Sequence, residues 1–151
     1  MIGVTDILYT AGAIAEDGRE GHVRTHDGRL DVALDVPAEM GGTSGAGTNP
    51  EQLFAAAYAA CFQSALLRVA SGRKLDLTGA RVTARVGIGP SSDGAFALTV
   101  SLELDAPRIG PAQASFLMER AHQVCPYSRA TRGNVHVTRT VAGVRSPQHT
   151  R

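Results

Sequence analysis

The sequence predicts an α+β fold in which antiparallel strands come before and after one long central helix. Three observations carry this. Short alternating runs separated by turn residues fill the first third of the chain and recur between residues 81 and 104. An Ala-rich stretch from about Pro50 to Ser71 repeats its apolar residues at helical spacing. A second, shorter helical run precedes a last strand.

Leu8-Tyr9-Thr10-Ala11 starts the first strand, and Asp17-Gly18-Arg19-Glu20-Gly21 is a turn signal. His22 to Thr25 returns antiparallel, Asp27-Gly28 turns again, and Leu30 to Val36 alternates as a third strand. The glycine-rich loop Gly41 to Gly47 leads into Thr48-Asn49-Pro50-Glu51, a helix start with a capping residue, an early proline and an acid matched to the dipole. The helix is expected to end at Gly72. Leu53, Phe54, Ala57, Cys61, Ala65 and Leu66 share its spacing, while Ala55, Ala56, Ala59 and Ala60 leave its other faces small and apolar. A helix apolar nearly all round is buried, and one small sheet cannot cover it, so a second subunit is expected.

A hairpin follows, with Val82, Ala84, Val86 and Ile88 alternating inward before the turn and Phe96, Leu98, Val100, Leu102 and Leu104 after it. The second helix runs from about Pro111 to Val124, with Ala114, Leu117, Ala121 and Val124 inward, and Asn134 to Val141 is the last strand. The 151 residues suit one domain, with residues 1–6 and 144–151 as flexible ends, Ser146 to Arg151 fraying.

A hydrophobic content of 43% is enough for a core, and a net charge of +1 without runs of like charge gives no case for nucleic acid. The N-terminus lacks the pattern of an export signal, and no stretch of about 18 uninterrupted apolar residues points to a membrane span. The expected compartment is the cytoplasm, where paired cysteines are more often catalytic or metal-binding than structural.

Two cysteines stand out. A thiol attacks as its thiolate, so its surroundings decide its chemistry. Cys61 is in mid-helix, where the dipole does little, and needs a nearby cation. Cys125 is at a helix C-terminus, where partial negative charge disfavours a thiolate. This asymmetry suggests Cys61 as the attacking and Cys125 as the resolving thiol. Both also fit as small core residues, and the residues by themselves leave that open.

Other chemistries find less support. His122-x-x-Cys125 lacks a second pair at ligand spacing, so no metal or other cofactor is expected. The glycine loop lacks the Lys-Ser/Thr of a phosphate-binding loop. Ser64, Ser71 and Ser128 have no nucleophile elbow. Phe54, Phe62, Phe96 and Tyr127 are expected in the core, one or two of them lining an apolar pocket near Cys61.

Gly41-Gly, Gly45-Ala-Gly-Thr48-Asn-Pro-Glu51-Gln-Leu-Phe54-Ala-Ala, Tyr58 and Ala60-Cys61-Phe62 together resemble the organic hydroperoxide resistance branch of the OsmC-like proteins. So do Val86-Gly-Ile-Gly89, Ala121-His-Gln-Val-Cys125-Pro-Tyr-Ser128 and Ala130-Thr-Arg-Gly-Asn134. The resemblance runs from about Tyr9 to Val141. It implies a thiol peroxidase in which Cys61 attacks an organic hydroperoxide, Cys125 condenses with the sulfenic acid to a disulfide, and a lipoylated protein or dihydrolipoamide regenerates the pair. It assigns Arg19 to hold the thiolate and polarise the peroxide, and Glu51 to orient Arg19. The local turn, Gly18-Arg19-Glu20-Gly21-His22, departs from the branch's Gly-Arg-Asp-Gly-Arg and keeps Arg24 as an alternative. The glycine loop reads as a flexible lead into the helix cap, with opening and closing over the peroxide pocket as its functional variant.

Glu51 and Cys61 lie ten residues apart on one predicted helix, about 15 Å along its axis. Either the helix breaks, or the Glu51 that serves Cys61 comes from another subunit. The expectation is therefore an intertwined homodimer with two interfacial sites. A thiol redox sensor without turnover, or an OsmC-like peroxidase of different substrate range, are the alternatives.

Overall fold

A computed structural model describes residues 3–144, so Met1, Ile2 and most of the expected C-terminal tail, residues 145–151, lie outside the described residues. The chain gathers into two compact units, Met1–Pro50 and Glu51–Arg151.

The first unit is an antiparallel meander of β1 (Ala13–Glu16), β2 (His22–Thr25) and β3 (Asp31–Ala33). Its register pairs Ala13 with Thr25 and Val23 with Val32. The first strand begins at Ala13, not at Leu8. Its partner β2 ends at Thr25, whose hydroxyl donates to Asp27 Oδ1 at 2.6 Å and accepts the Leu30 N–H at 3.1 Å. That turn chemistry closes the chain at Asp27-Gly28 and leaves no strand opposite Leu8 and Tyr9, which are 93% and 79% exposed.

The third strand is also shorter than expected, because after Ala33 the backbone pairs instead with residue 48: Leu34 and Thr48 form a parallel bridge. Between them the glycine loop is tied down. Ser44 Oγ accepts the Ala38 N–H at 2.7 Å, and Gly47 N–H donates to the Asp35 carboxylate. A Cβ on Gly42 would lie 2.0 Å from the Val36 carbonyl oxygen, so glycine here allows backbone to touch backbone.

In the second unit, α1 (Pro50–Arg73, its first residue closing the first unit) and α2 (Pro111–Val124) pack with β4 (Arg81–Pro90), β5 (Phe96–Asp105) and β6 (Val137–Val141). The hairpin is as expected: Val82 pairs with Leu104, Ala84 with Leu102 and Val86 with Val100. The last strand departs from the antiparallel expectation. β6 runs parallel to β5, Val100 beside Val137, since α2 and a further short helix carry the chain back to the same end of the sheet.

The core holds Tyr58, Phe62, Leu66, Leu102, Leu104, Leu117 and Cys125, all 0% exposed. Burying such a side chain stabilises by about 1.5–3 kcal/mol for each large aliphatic or Phe. Two expected core positions are corrected. Val124 is 43% exposed and Met118 is buried in its stead. Phe96, paired with Pro90 beside the turn that closes the hairpin, is 69% exposed.

By length and composition α1 could cross a membrane, but its Tyr58–Phe62–Leu66 face is buried in this core. Tyr58, Phe62, Ala65, Leu66 and Ala70 face inward, whereas Ala56, Ala60 and Ser64 form a stripe of small residues on another face, Ala56 and Ala60 exposed. The helix runs through Gly72 to Arg73. The left-handed position falls on Lys74 (φ 54°), with Leu75 N–H bonded to Ala70 O at 3.1 Å and Lys74 N–H to Ser71 O at 3.3 Å. Leu75 joins Ala70 at the core and so fixes where this turn falls. A lysine in that conformation carries strain. Lys74→Gly is expected to raise stability by about 1 kcal/mol, read by urea denaturation; an unchanged midpoint would mean the turn relaxes around lysine.

Candidate active site

The two cysteines meet. Cys61 and Cys125 are both free thiols, and their sulfurs lie 3.6 Å apart. Cys61 is half-buried on α1, and Cys125 is fully buried.

The position of Cys125 follows from Pro126. A residue before proline is pushed out of the helical region, and Cys125 sits at φ −63°, ψ 125°. It therefore ends α2, donating its N–H to Ala121 O at 2.8 Å, and begins α3 (Pro126–Thr131), accepting the Arg129 N–H at 3.0 Å. Sequence reasoning saw the first helix end and missed the second, so its expectation of a purely negative setting needs correction. Cys125 stands between the C-terminus of one helix and the N-terminus of another.

That second N-terminus reaches Cys61. Burial pushes the Cys61 thiol above its ordinary pKa, the Tyr127 backbone N–H pulls it back down, and the neighbouring Cys125 thiol pushes it up again. Tyr127 is the second residue of α3, where a helix has no internal acceptor for its N–H. The mid-helix cysteine thus receives help from a backbone donor on another element.

Aromatic rings frame the pair. Phe54 meets Tyr58 edge-on at 5.8 Å between centroids, and Tyr127 lies 5.7 Å from Tyr58 and 6.2 Å from Phe54. Phe54, Cys61 and Tyr127 all pack against the core, so of the four expected aromatics these two and Phe62 take part and Phe96 does not. Behind them the Tyr58 hydroxyl, fully buried, lies 2.8 Å from Ser128 Oγ and 3.4 Å from Thr131 Oγ1. The Thr131 hydroxyl is in turn 3.0 Å from the Tyr127 carbonyl and 3.2 Å from that of Ser128. No local pattern announces this network; its one sequence signal is two hydroxyl residues at i, i+3 after Cys-Pro.

The remaining candidates are placed singly. Glu51 is half-buried in the first turn of α1, and because α1 is one unbroken helix it stays about 15 Å along the axis from Cys61 of the same chain. Arg19 lies in a single helical turn, Gly18–Glu20, of the first unit and is half-buried, whereas Arg24 on β2 is exposed. His122 gives its carbonyl to Arg132 at 2.7 Å, and its imidazole is held below its ordinary pKa by burial and by Arg139 and Arg132.

Comparison with known proteins finds similar chains over nearly the whole length. The family described as OsmC-like protein matches residues 41–140. The organic hydroperoxide resistance protein of Xanthomonas axonopodis pv. citri is 50% identical over 94% of this chain and all of its own. The organic hydroperoxide resistance protein OhrB of Bacillus subtilis is 42% identical over 86% of this chain and 95% of its own. A crystal structure from Vibrio cholerae, described as a putative organic hydroperoxide resistance protein with captopril bound in one of its active sites, superposes with a TM-score of 0.86. It has 49% identity and covers 93% of this chain and 96% of that one.

Proposed function

The chain belongs to the OsmC-like family, and from that premise we propose that it is a cysteine peroxidase that reduces organic hydroperoxides to alcohols. The observation that carries the proposal is the 3.6 Å approach of two free thiols beside a backbone donor. Relatives named for organic hydroperoxide resistance, matched over nearly the whole chain, support the substrate class.

In the first step the Cys61 thiolate attacks the terminal oxygen of R–O–O–H. The O–O bond breaks, the alkoxide leaves and takes a proton as R–OH, and Cys61 becomes a sulfenic acid. In the second step the Cys125 sulfur attacks the Cys61 sulfur, an S–S bond forms, and water carries off the sulfenic oxygen. A lipoyl-type dithiol then reduces the disulfide and is itself oxidised to its cyclic disulfide, which restores both thiols. Arg19 is assigned to stabilise the thiolate and the departing alkoxide, and Glu51 to fix the guanidinium. We assign the protein to the cytoplasm and treat its two units as parts of one functional domain.

The unbroken α1 supports the second of the two sequence alternatives, a Glu51 supplied by another subunit. The small residues Ala56 and Ala60, and the exposed Val4, Ile7, Leu8 and Tyr9, support a homodimer. The plural active sites of the Vibrio protein suit the same reading. Mixing inactive Cys61→Ser and Glu51→Gln subunits is expected to restore about a quarter of wild-type activity, since half the dimers would be mixed and each would carry one intact site. No recovery after subunit exchange would sink the shared site.

The test of the function itself is a lipoamide-coupled assay comparing hydrogen peroxide with cumene and fatty-acid hydroperoxides. Catalytic turnover with the organic peroxides favoured is expected. Consumption that stops at one peroxide per chain would instead support a redox sensor.

A further inference from the structure

We propose that Tyr58 is a positioning residue whose buried hydroxyl rivets α3 to α1, and through α3 sets both the reactivity of Cys61 and its closure with Cys125. The proposal rests on the cysteine chemistry above and adds a residue to it.

The six residues of α3 make it too short to be stable by itself, so its orientation depends on what holds it. Yet it carries two things the site needs. One is the Tyr127 N–H that lowers the Cys61 pKa; the other is the Cys125 backbone from which the second sulfur reaches 3.6 Å. A shift of α3 by a fraction of an ångström changes both.

Tyr58 lies on α1 three residues before Cys61, so the two side chains rise from adjacent turns of a rigid helix. Its hydroxyl lies 2.8 Å from Ser128 Oγ and 3.4 Å from Thr131 Oγ1, and Thr131 Oγ1 lies 3.0 Å from the carbonyl of Tyr127. Tyr58 and Ser128 are 0% exposed and Thr131 is 8% exposed, so water does not compete for these bonds. The chain of contacts therefore runs from α1 through one phenol to the carbonyl of Tyr127, the residue whose N–H acts on Cys61. The aromatic contacts of Phe54 and Tyr127 hold the same elements together but fix no atom as tightly.

Tyr58→Phe keeps the ring and removes the hydroxyl. The pH midpoint for iodoacetamide alkylation of Cys61, measured in a Cys125→Ala background, is expected to rise enough to cut the thiolate fraction at neutral pH roughly threefold. In the otherwise intact protein, disulfide formation after one equivalent of hydroperoxide is expected to slow about tenfold, with more Cys61 sulfinic acid in mass spectra. Ser128→Ala removes the other end of the main bond and is expected to do the same. The double variant should be little worse than either single one. A variant with lowered Tm but an unmoved alkylation midpoint and unchanged closure rate would reduce Tyr58 to a core residue and overturn the proposal. The alkylation midpoint needs no peroxidase activity. A wild-type protein without turnover would therefore defeat the proposed function while leaving the positioning of Cys61 to be judged by its own readout.

Discussion

Cys61→Ser is expected to abolish hydroperoxide reduction, lowering kcat/KM by a factor on the order of 10³ or more. The reasons are chemical. A serine hydroxyl stays protonated at any working pH, and an oxygen atom has no counterpart to the sulfenic acid into which peroxide oxygen is delivered. The substitution disturbs little else. Cys61 is half-buried, the side chains are nearly the same size, and serine gives up only the 3.6 Å sulfur–sulfur approach to Cys125. Stability should stay within about 1 kcal/mol of wild type. The wild-type rate is expected to climb with pH through neutrality, because burial raises the Cys61 pKa and the thiolate fraction grows until pH passes it. In the serine protein that climb should vanish. Peroxide consumption across pH, with circular dichroism to verify folding, is the measurement. Full activity in the serine protein would end the proposal of a cysteine peroxidase.

What the sequence could tell about this site divides along the range of the interactions. The β4–β5 hairpin and α2 carry their own periodicity and were legible as elements, while the register that sets Val86 beside Val100 came from the structure. Positions decided by a neighbouring element were not. Period alone sends Val124 inward, but α2 breaks at Cys125 and Met118 fills the core. The parallel setting of β6 depends on the route through α3, a helix with no period to read and only Pro126 to announce it. Missing α3 is also why the environment of Cys125 was read as the end of one helix only. The cysteines themselves were legible as residue types with different local settings. Their meeting is an approach across 64 positions, and the Tyr58–Ser128 bond spans 70; neither leaves a mark in local composition. Arg19 and Glu51 entered through family motifs and belong to the proposed mechanism; Arg19 is half-buried and Arg24 exposed.

Cys125→Ser is expected to separate attack from turnover. The first oxidation of Cys61 should proceed at close to the wild-type rate, because the attacking sulfur and the Tyr127 N–H are kept and a thiol that pushed its pKa up is gone. The sulfenic acid then has no resolving partner. In the wild-type protein the two sulfurs need to close by about 1.5 Å, from 3.6 Å to bonding distance, which is within reach of a side-chain rotation. Without that step, excess hydroperoxide should carry Cys61 on to sulfinic acid, and sustained turnover with a dithiol should fall at least about tenfold. A buried serine also has to satisfy its hydroxyl where Cys125 is 0% exposed, which costs about 1–3 kcal/mol if it finds no acceptor. Cys125→Ala avoids that penalty and leaves a small void, so the two variants stress the fold in different ways while removing the same sulfur. If both give a burst of one hydroperoxide per chain followed by a two-oxygen adduct on the Cys61 peptide, the resolving role belongs to Cys125. If either sustains wild-type turnover with Cys61 unharmed, an external dithiol resolves the sulfenic acid directly, and the 3.6 Å approach is packing rather than chemistry.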